Sequence, residues 1–413
     1  MSGISPLTAV GPVVSRKTAE TAEKIRQLRD ELNDLFPERE PLINQLMYAL
    51  LTREHLLIYG TFGTGKSWLV ECLFGAFTGA SLFSVEFSKF MTESNIIGIP
   101  NPKILREEGR VWHERKGTIM DAHFAEFDEL FDANDLLLRS LLGILNERRF
   151  NRGVQLEKTH LHTSLASTND DPEQQVKRFP KLSAVVDRFL FQTGVSYLET
   201  EEGRRRMLEN YLARKRPQTH IPFADLSELA KTVHDLPFTD LALVDLHQRI
   251  AAAFQKESDL VISDRRLCKA LEAVKANAVL YGREALVPED LLAAMWVYCK
   301  GNDADEQNNF TAIANPMIEA LVKERQPDVV RTQMQLLDEL EKRLPAGVGN
   351  AGATPIPNDN LIELRRALIA LRGEVNGLAP GHATIEDRKK RLLATIDKTN
   401  ANVGRLIDGE PIQ

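Results

Sequence analysis

The sequence predicts an α/β domain built on a mostly parallel sheet, followed by an all-α domain and a C-terminal helical domain. Three observations predict it. Short apolar segments, LLIY, LFSVEF, HFAEF, TSLAST and FLFQTGV, alternate with helical stretches up to about residue 197, the pattern of a parallel sheet covered by helices. The first of these segments runs into a glycine-rich loop, GTFGTGKS, and the loop runs into a helical pattern. From 198 to 310 no convincing strand recurs, and helical periods such as LALVDLHQRIAAAF and PEDLLAAMWVYC take over.

The elements follow in order. Residues 1–17 read as a flexible N-terminus. From 18 to 52, Ile25, Leu28, Leu32 and Leu35 fall at helical spacing, Pro37 breaks the run, and Leu42, Leu46 and Leu50 begin a second amphipathic helix. The α/β domain spans 18–197 and the all-α domain 198–310. A C-terminal helical domain spans 316–413, with a flexible connection at 344–360 marked by PAGVGNAGATPIPNDN. Beyond it, Leu361, Leu364, Leu368, Leu371 and Val375 keep heptad spacing, as do Ile385, Leu392, Ile396, Val403 and Leu406 after GLAPGHAT, so an antiparallel helical hairpin is expected. A packed helix pair and a protruding arm fit that spacing equally.

Composition bounds the function. The 413 residues exceed one ordinary core, and 43% apolar with 27% charged residues describe a water-soluble globular chain. A net charge of -7 argues against a general phosphate-backbone binder and makes nucleic acid an unlikely partner. Cys72, Cys268 and Cys299 lack metal spacing and read as reduced packing thiols. No apolar run suits a membrane span and MSGISPLTAVGPVVSRK lacks a signal-peptide pattern, so the cytoplasm is the expected location.

The chemistry begins at Gly60-Thr61-Phe62-Gly63-Thr64-Gly65-Lys66-Ser67, which satisfies G-x-x-x-x-G-K-[ST] between a strand and a helix. Glycines let backbone N–H groups wrap an anionic phosphate, and the helix that follows aims its positive end at the same place. Lys66 adds a charge at the outer phosphates, and the Ser67 hydroxyl suits Mg²⁺. A triphosphate site also needs a carboxylate at the end of a neighbouring strand, and HFAEFDEL supplies Asp128 for the metal and Glu129 for the attacking water. Glu126 stands where a buried central strand would carry an apolar residue; it could reach solvent at the strand end or bias the metal geometry. Asn169, in SLASTND, could orient the water or touch the γ-phosphate, although an asparagine there also fits a turn. Arg188, in SAVVDRFLF, lies on the domain rim, where it could serve a nucleotide held by another copy or form a surface ion pair.

In this order, GTFGTGKS, FAEFDEL, STND, VVDRF and ISDRRL resemble the AAA+ ATPases, and within them the MoxR family. The segment FSKFMTESNIIGIPNPKILREEGRVWHERKGTI resembles that family's insert in the second helix. Together with LLRSLLGILNERRF and SDRRLCKALEAVKANAVLYGR it is similar to the RavA branch, over about residues 20–310. The resemblance implies an AAA+ sheet domain with an all-α lid, ATP and Mg²⁺ held by Lys66, Ser67 and Asp128, and Glu129 as the second Walker B acid. It implies that Asn169 is sensor 1, Arg188 the arginine finger and Arg265 sensor 2, reaching the γ-phosphate from the lid, with Arg266 its neighbouring candidate. Glu147 matches an acid near the subunit interface. The resemblance further implies a hexameric ring acting on protein clients, often ones with von Willebrand factor A domains. The RavA branch carries a β-rich insertion in its C-terminal domain that is absent here, so RavA's own partners do not carry over.

An ATP-hydrolysing ring that remodels or activates a protein is thus the leading expectation. The ATPase subunit of a metal chelatase, a nucleic-acid motor and a scaffold that binds ATP without turnover are the alternatives. In the insert, Trp112 and His113 are expected either to meet the client or to lie in a solvated β-hairpin.

Overall fold

The structure, a computed structural model, describes residues 15–109, 112–152, 155–258, 260–325, 358–377 and 383–408. These fall into two compact units divided between Met317 and Ile318. Most of the expected flexible N-terminus, most of the 344–360 connection and the centre of the GLAPGHAT turn lie outside the described residues, as do the side chains of Ile385 and Leu406.

The first unit opens with helix α1 (Arg16–Leu35), capped by the Ser15 side chain on the Thr18 amide, and helix α2 (Glu40–Thr52), which begins with Pro41 in its first turn. Strand β1 (Leu56–Gly60) then enters the sheet, and helix α3 (Lys66–Gly75) leaves the glycine loop. Strands β2 (Phe77–Thr78) and β3 (Leu82–Glu86) follow, then the short helices α4 (Ser94–Ile97) and α5 (Pro102–Glu108) of the insert. Strand β4 (Phe124–Asp128), helix α6 (Asp135–Glu147), the hairpin β5 (Arg149–Arg152) and β6 (Gln155–Lys158), and strand β7 (Thr163–Thr168) come next. Helices α7 (Pro172–Arg178) and α8 (Ser183–Val186) lead to strand β8 (Phe191–Val195).

The main sheet has five strands in the order β3-β4-β7-β1-β8, every neighbouring pair parallel. All five expected strands are present. β4, β7 and β1 are the inner strands, and β1 is buried on both faces, which is why LLIY runs without polar alternation. One core cluster joins Phe127, Leu130, Leu137, Leu141 and Ile144 to Leu57 and Ala166, so α6 packs on the sheet through its apolar stripe.

Helix α9 (Glu201–Leu212), strand β9 (Ile221–Pro222, paired with β2) and helices α10 (Phe223–Asp235), α11 (Leu241–Ser258) and α12 (Asp264–Leu280) carry the chain into the helical lid. Leu226, Leu229, Val233, Leu246, Ile250 and Phe254 bury its interior. Asp290 is fully buried yet paired, accepting from Arg283 at 2.6 and 3.0 Å and from Asn277 at 2.7 Å, which is what allows a carboxylate there.

In the second unit, helices Asn358–Gly377 and Ala383–Asp408 pack on each other with Leu361, Leu368, Leu371 and Val375 buried from one and Leu392, Ile396 and Val403 from the other. Arg372 pairs with Asp397 at 2.6 Å, and Arg365 lies against Gly404, so the two helices run antiparallel.

Candidate nucleotide site

The glycine loop sits at the carboxyl end of β1, where parallel sheets bind ligands because loops diverge there. Gly60 (φ +115°), Gly63 (+69°) and Gly65 (+82°) take conformations that L side chains rarely adopt. Gly60 is the most constrained, since a Cβ there would lie 2.5 Å from the Val195 carbonyl oxygen of β8. Gly60→Ala is therefore expected to lower stability by about 2 kcal/mol or more, measured by urea denaturation, because backbone strain and a backbone clash add.

Gly65 is the N-cap of α3 and offers no side chain to cap it, which leaves the first N–H groups of the helix open to an anion. Lys66 donates to the Gly60 carbonyl at 3.2 Å, while Thr64 is buried and donates to Thr61. Burial pushes the Lys66 ammonium down from its ordinary value, and the carboxylates of Asp128 and Glu129 oppose that shift. Thr61 is half-buried, Ser67 is exposed at the mouth, and Phe62 projects with 73% of its surface exposed. The donor set fits a nucleoside triphosphate with Mg²⁺: open helix amides, one ammonium, and the Ser67 hydroxyl with the Asp128 carboxylate as hard oxygen ligands.

Asp128 ends β4, two strands from the loop, and its Oδ1 accepts from the Ser167 hydroxyl of β7 and from the Glu129 amide at 3.2 Å. Glu129 adopts φ +51°, a left-handed conformation rare for a side chain of this size. There its carboxylate accepts from the Asn169 amide nitrogen, just past the end of β7. Burial raises the Glu129 pKa above the ordinary carboxylate value, Asp128 and Asp132 add to this, and Lys66 and Asn169 offset part of it. A carboxylate so placed is a better base toward water than a free one. Lys66, Ser67, Asp128, Glu129 and Asn169 thus share one end of the sheet.

Glu126 does not reach a strand end. It lies mid-strand, half-buried, accepting from Ser84 on β3 at 2.8 Å, and burial raises its pKa. The neighbouring strand satisfies it, which explains how an acid survives at that position.

The arginines lie elsewhere. β1 and β8 run in register from Leu56↔Phe191 to Gly60↔Val195, so residues before Phe191 lie at the end of the sheet opposite the glycine loop. Four residue steps of strand separate the two ends by about 13 Å. Arg188 is there, pairing with Asp187 at 3.0 Å, and so is Arg265, which donates to the Asp187 carbonyl and faces Glu54 at 3.8 Å. Within one subunit Arg265 thus lies against Asp187, beside Arg188, at the sheet end opposite Lys66. Arg266 is distinguished from Arg265 by its partners, the Val297 and Leu190 carbonyls at 3.1 and 3.2 Å, which make it a tie within the fold. Glu147 pairs with Arg149 at the end of α6, the turn of which reaches His55 at the same sheet end.

Sequence reasoning missed Ser167, Asp187 and Glu54. Ser167 alternates with Thr168 in a strand that reads as apolar, and Glu54 finds Arg265 and Lys269 only through the fold. In the insert, Pro100 and His113 form a single antiparallel bridge rather than a hairpin, and Asn101 caps α5. Trp112 is 45% exposed, while His113 is buried beside Glu157 of β6.

Residues 23–231 match the MoxR domain of the MoxR-vWA-beta-propeller ternary systems, and residues 240–313 match an AAA lid domain. An uncharacterized protein of Methanocaldococcus jannaschii is 25% identical over 95% of this chain and 98% of its own. A second from that organism is 30% identical over 68% of this chain and 72% of its own. Chaperone MoxR1 of Mycobacterium tuberculosis is 23% identical over 70% of this chain and 78% of its own. A solved structure from Cytophaga hutchinsonii shares the fold with a TM-score of 0.55 at 18% identity, covering 73% of this chain and 96% of that one. Among the described residues no helix is long and apolar enough to cross a membrane. With the MoxR domain model matched over more than half of the chain and the lid model following it, the chain belongs to the MoxR family of AAA ATPases.

Proposed function

We propose that the protein hydrolyses ATP with Mg²⁺ at sites shared between copies arranged in a ring, and that it couples turnover to a change in a protein client. One observation carries this reading: the phosphate loop, Glu129 and Asn169 lie at one end of the sheet, while Arg188 and Arg265 lie at the other. Neither arginine can serve its own subunit's nucleotide across that span, whereas a head-to-tail neighbour would bring both to it. Bound Mg²⁺, held by Ser67 and Asp128, would neutralise charge on the transferred phosphoryl group. Lys66 and the α3 amides bind and orient the phosphates, Glu129 accepts the proton of the attacking water, and Asn169 fixes the Glu129 carboxylate.

The family description names a von Willebrand factor A protein and a β-propeller protein as companions, which supports a client of the former class. The printed name of the mycobacterial relative supports a chaperone-like action. The insert and SDRR motifs support a place near the RavA branch, and a hexamer is the ring size that the family resemblance implies.

The test is ATP turnover per subunit against protein concentration, with assembly followed by sedimentation. Turnover should rise with the assembled fraction and approach zero for the monomer. Constant turnover per subunit down to the monomer would overturn the shared site.

A further inference from the structure

Asp187 follows α8 and receives two arginines from different parts of the fold. Its Oδ2 accepts from Arg188 Nη1 at 3.0 Å and from Arg265 Nη1 at 3.3 Å, and its backbone carbonyl accepts from the same Arg265 nitrogen. Arg188 belongs to the α/β layer, whereas Arg265 lies in the first turn of lid helix α12. On the far side of Arg265 stands Glu54, only 7% exposed, which also holds Lys269 at 2.8 Å. Arg188, Arg265 and Lys269 pair with these two carboxylates while Arg148 and Arg266 add positive charge nearby, and without Asp187 the guanidiniums would repel in surroundings less screened than water. The Arg188 Nε is buried without a hydrogen-bond partner among the described residues, so Asp187 leaves a donor of that guanidinium unused.

We propose that Asp187 is a positioning residue that yokes Arg188 to Arg265, so that both guanidiniums meet the triphosphate of a neighbouring copy together and the lid moves with them. This rests on the reading that Arg188 acts in trans and adds to it the residue that sets the pair. The physical gain is order supplied in advance. Two long side chains already held side by side lose less freedom on meeting phosphate than two independent ones. As phosphate oxygens take over the Arg188 Nη donors, the Asp187 carbonyl still retains Arg265 through its Nη1.

The test uses the full chain. Asp187→Asn keeps the shape and removes the charge; kcat should fall about tenfold with KM for ATP within about twofold, since that subunit's own phosphate loop is intact. Asp187→Ala subunits mixed with Lys66→Ala subunits should regain turnover, because the mixed interface joins an intact loop to an intact arginine pair, and this also shows that the variant folds. Mixed with Arg188→Ala subunits they should not, as both lesions lie on one face. In the double variant Asp187→Ala/Arg265→Ala, turnover should be close to that of Arg265→Ala alone; fully additive losses would overturn the yoke. Unchanged kcat in Asp187→Asn, while Arg188→Ala is inactive and rescued by Lys66→Ala, overturns this proposal alone. Absence of that rescue in mixed rings overturns the trans reading beneath it.

Discussion

Glu129→Gln is expected to bind ATP as the unaltered protein does and to turn it over about 10² to 10⁴ times more slowly, the range that removal of a positioned base costs. The amide keeps the volume and one acceptor for Asn169 but cannot take a proton from water. Binding should be spared, since in the proposed site Lys66 and the α3 amides hold the phosphates. A labelled-nucleotide titration beside a phosphate-release assay separates the two, and near-normal release would remove Glu129 from the chemistry. The same residue sets a pH dependence. In the proposed role Glu129 acts only when ionised, and burial with Asp128 and Asp132 holds its pKa above the ordinary carboxylate value. Turnover should therefore rise with pH through that raised pKa. Asn169→Ala removes a hydrogen bond that favours the ionised form, and should move the acid limb of kcat further up.

Arg188→Ala should lose about 10³-fold or more in turnover with ATP binding retained, as expected when a guanidinium that neutralises the transition state is withdrawn. Lys66→Ala should lose turnover for a different reason, because its phosphates are no longer held. Equal mixing of the two should restore activity at about a quarter of the interfaces by random pairing in a closed ring. Each restored site combines the loop of one subunit with the arginines of the next. Mixed rings that stay inactive would instead place Arg188 in the ion pair with Asp187 as a matter of stability only.

The gathering of Lys66, Ser67, Asp128, Glu129 and Asn169 at one sheet end was legible because its signals are local. GTFGTGKS carries its own strand and helix context, and Asp128, Glu129 and Asn169 each follow directly on an apolar strand. What could not be read was which end of the sheet each arginine occupies. Arg265 meets Asp187 and Glu54 across 78 and 211 residues of chain, and nothing in SDRRL encodes those partners. Arg265 and Arg266 are neighbours of one type, and only their partners separate them, the Val297 and Leu190 carbonyls for Arg266 and Asp187 with Glu54 for Arg265. Glu126 looked anomalous because its acceptance from Ser84 depends on strand register, which sequence leaves open. In the insert, Asn101-Pro102 is a helix start signal, and α5 begins there with Asn101 as its cap.

Helix α9 lies over the phosphate loop. The Met207 methyl approaches Gly65, and Tyr211 stands edge-on to Trp68 at 5.9 Å, with Phe36 on Trp68 at 4.6 Å. Trp68 is two positions past Lys66, so anything that seats against the α3 amides or lifts α9 alters the surroundings of that indole. Trp112 lies out in the insert and Trp296 stacks on Tyr48, both away from the loop. Trp68 emission is therefore expected to shift when nucleotide is added, a gauge of occupancy with no label to attach, and an unchanged spectrum on saturating ATP would count against contact between nucleotide and the α3–α9 layer.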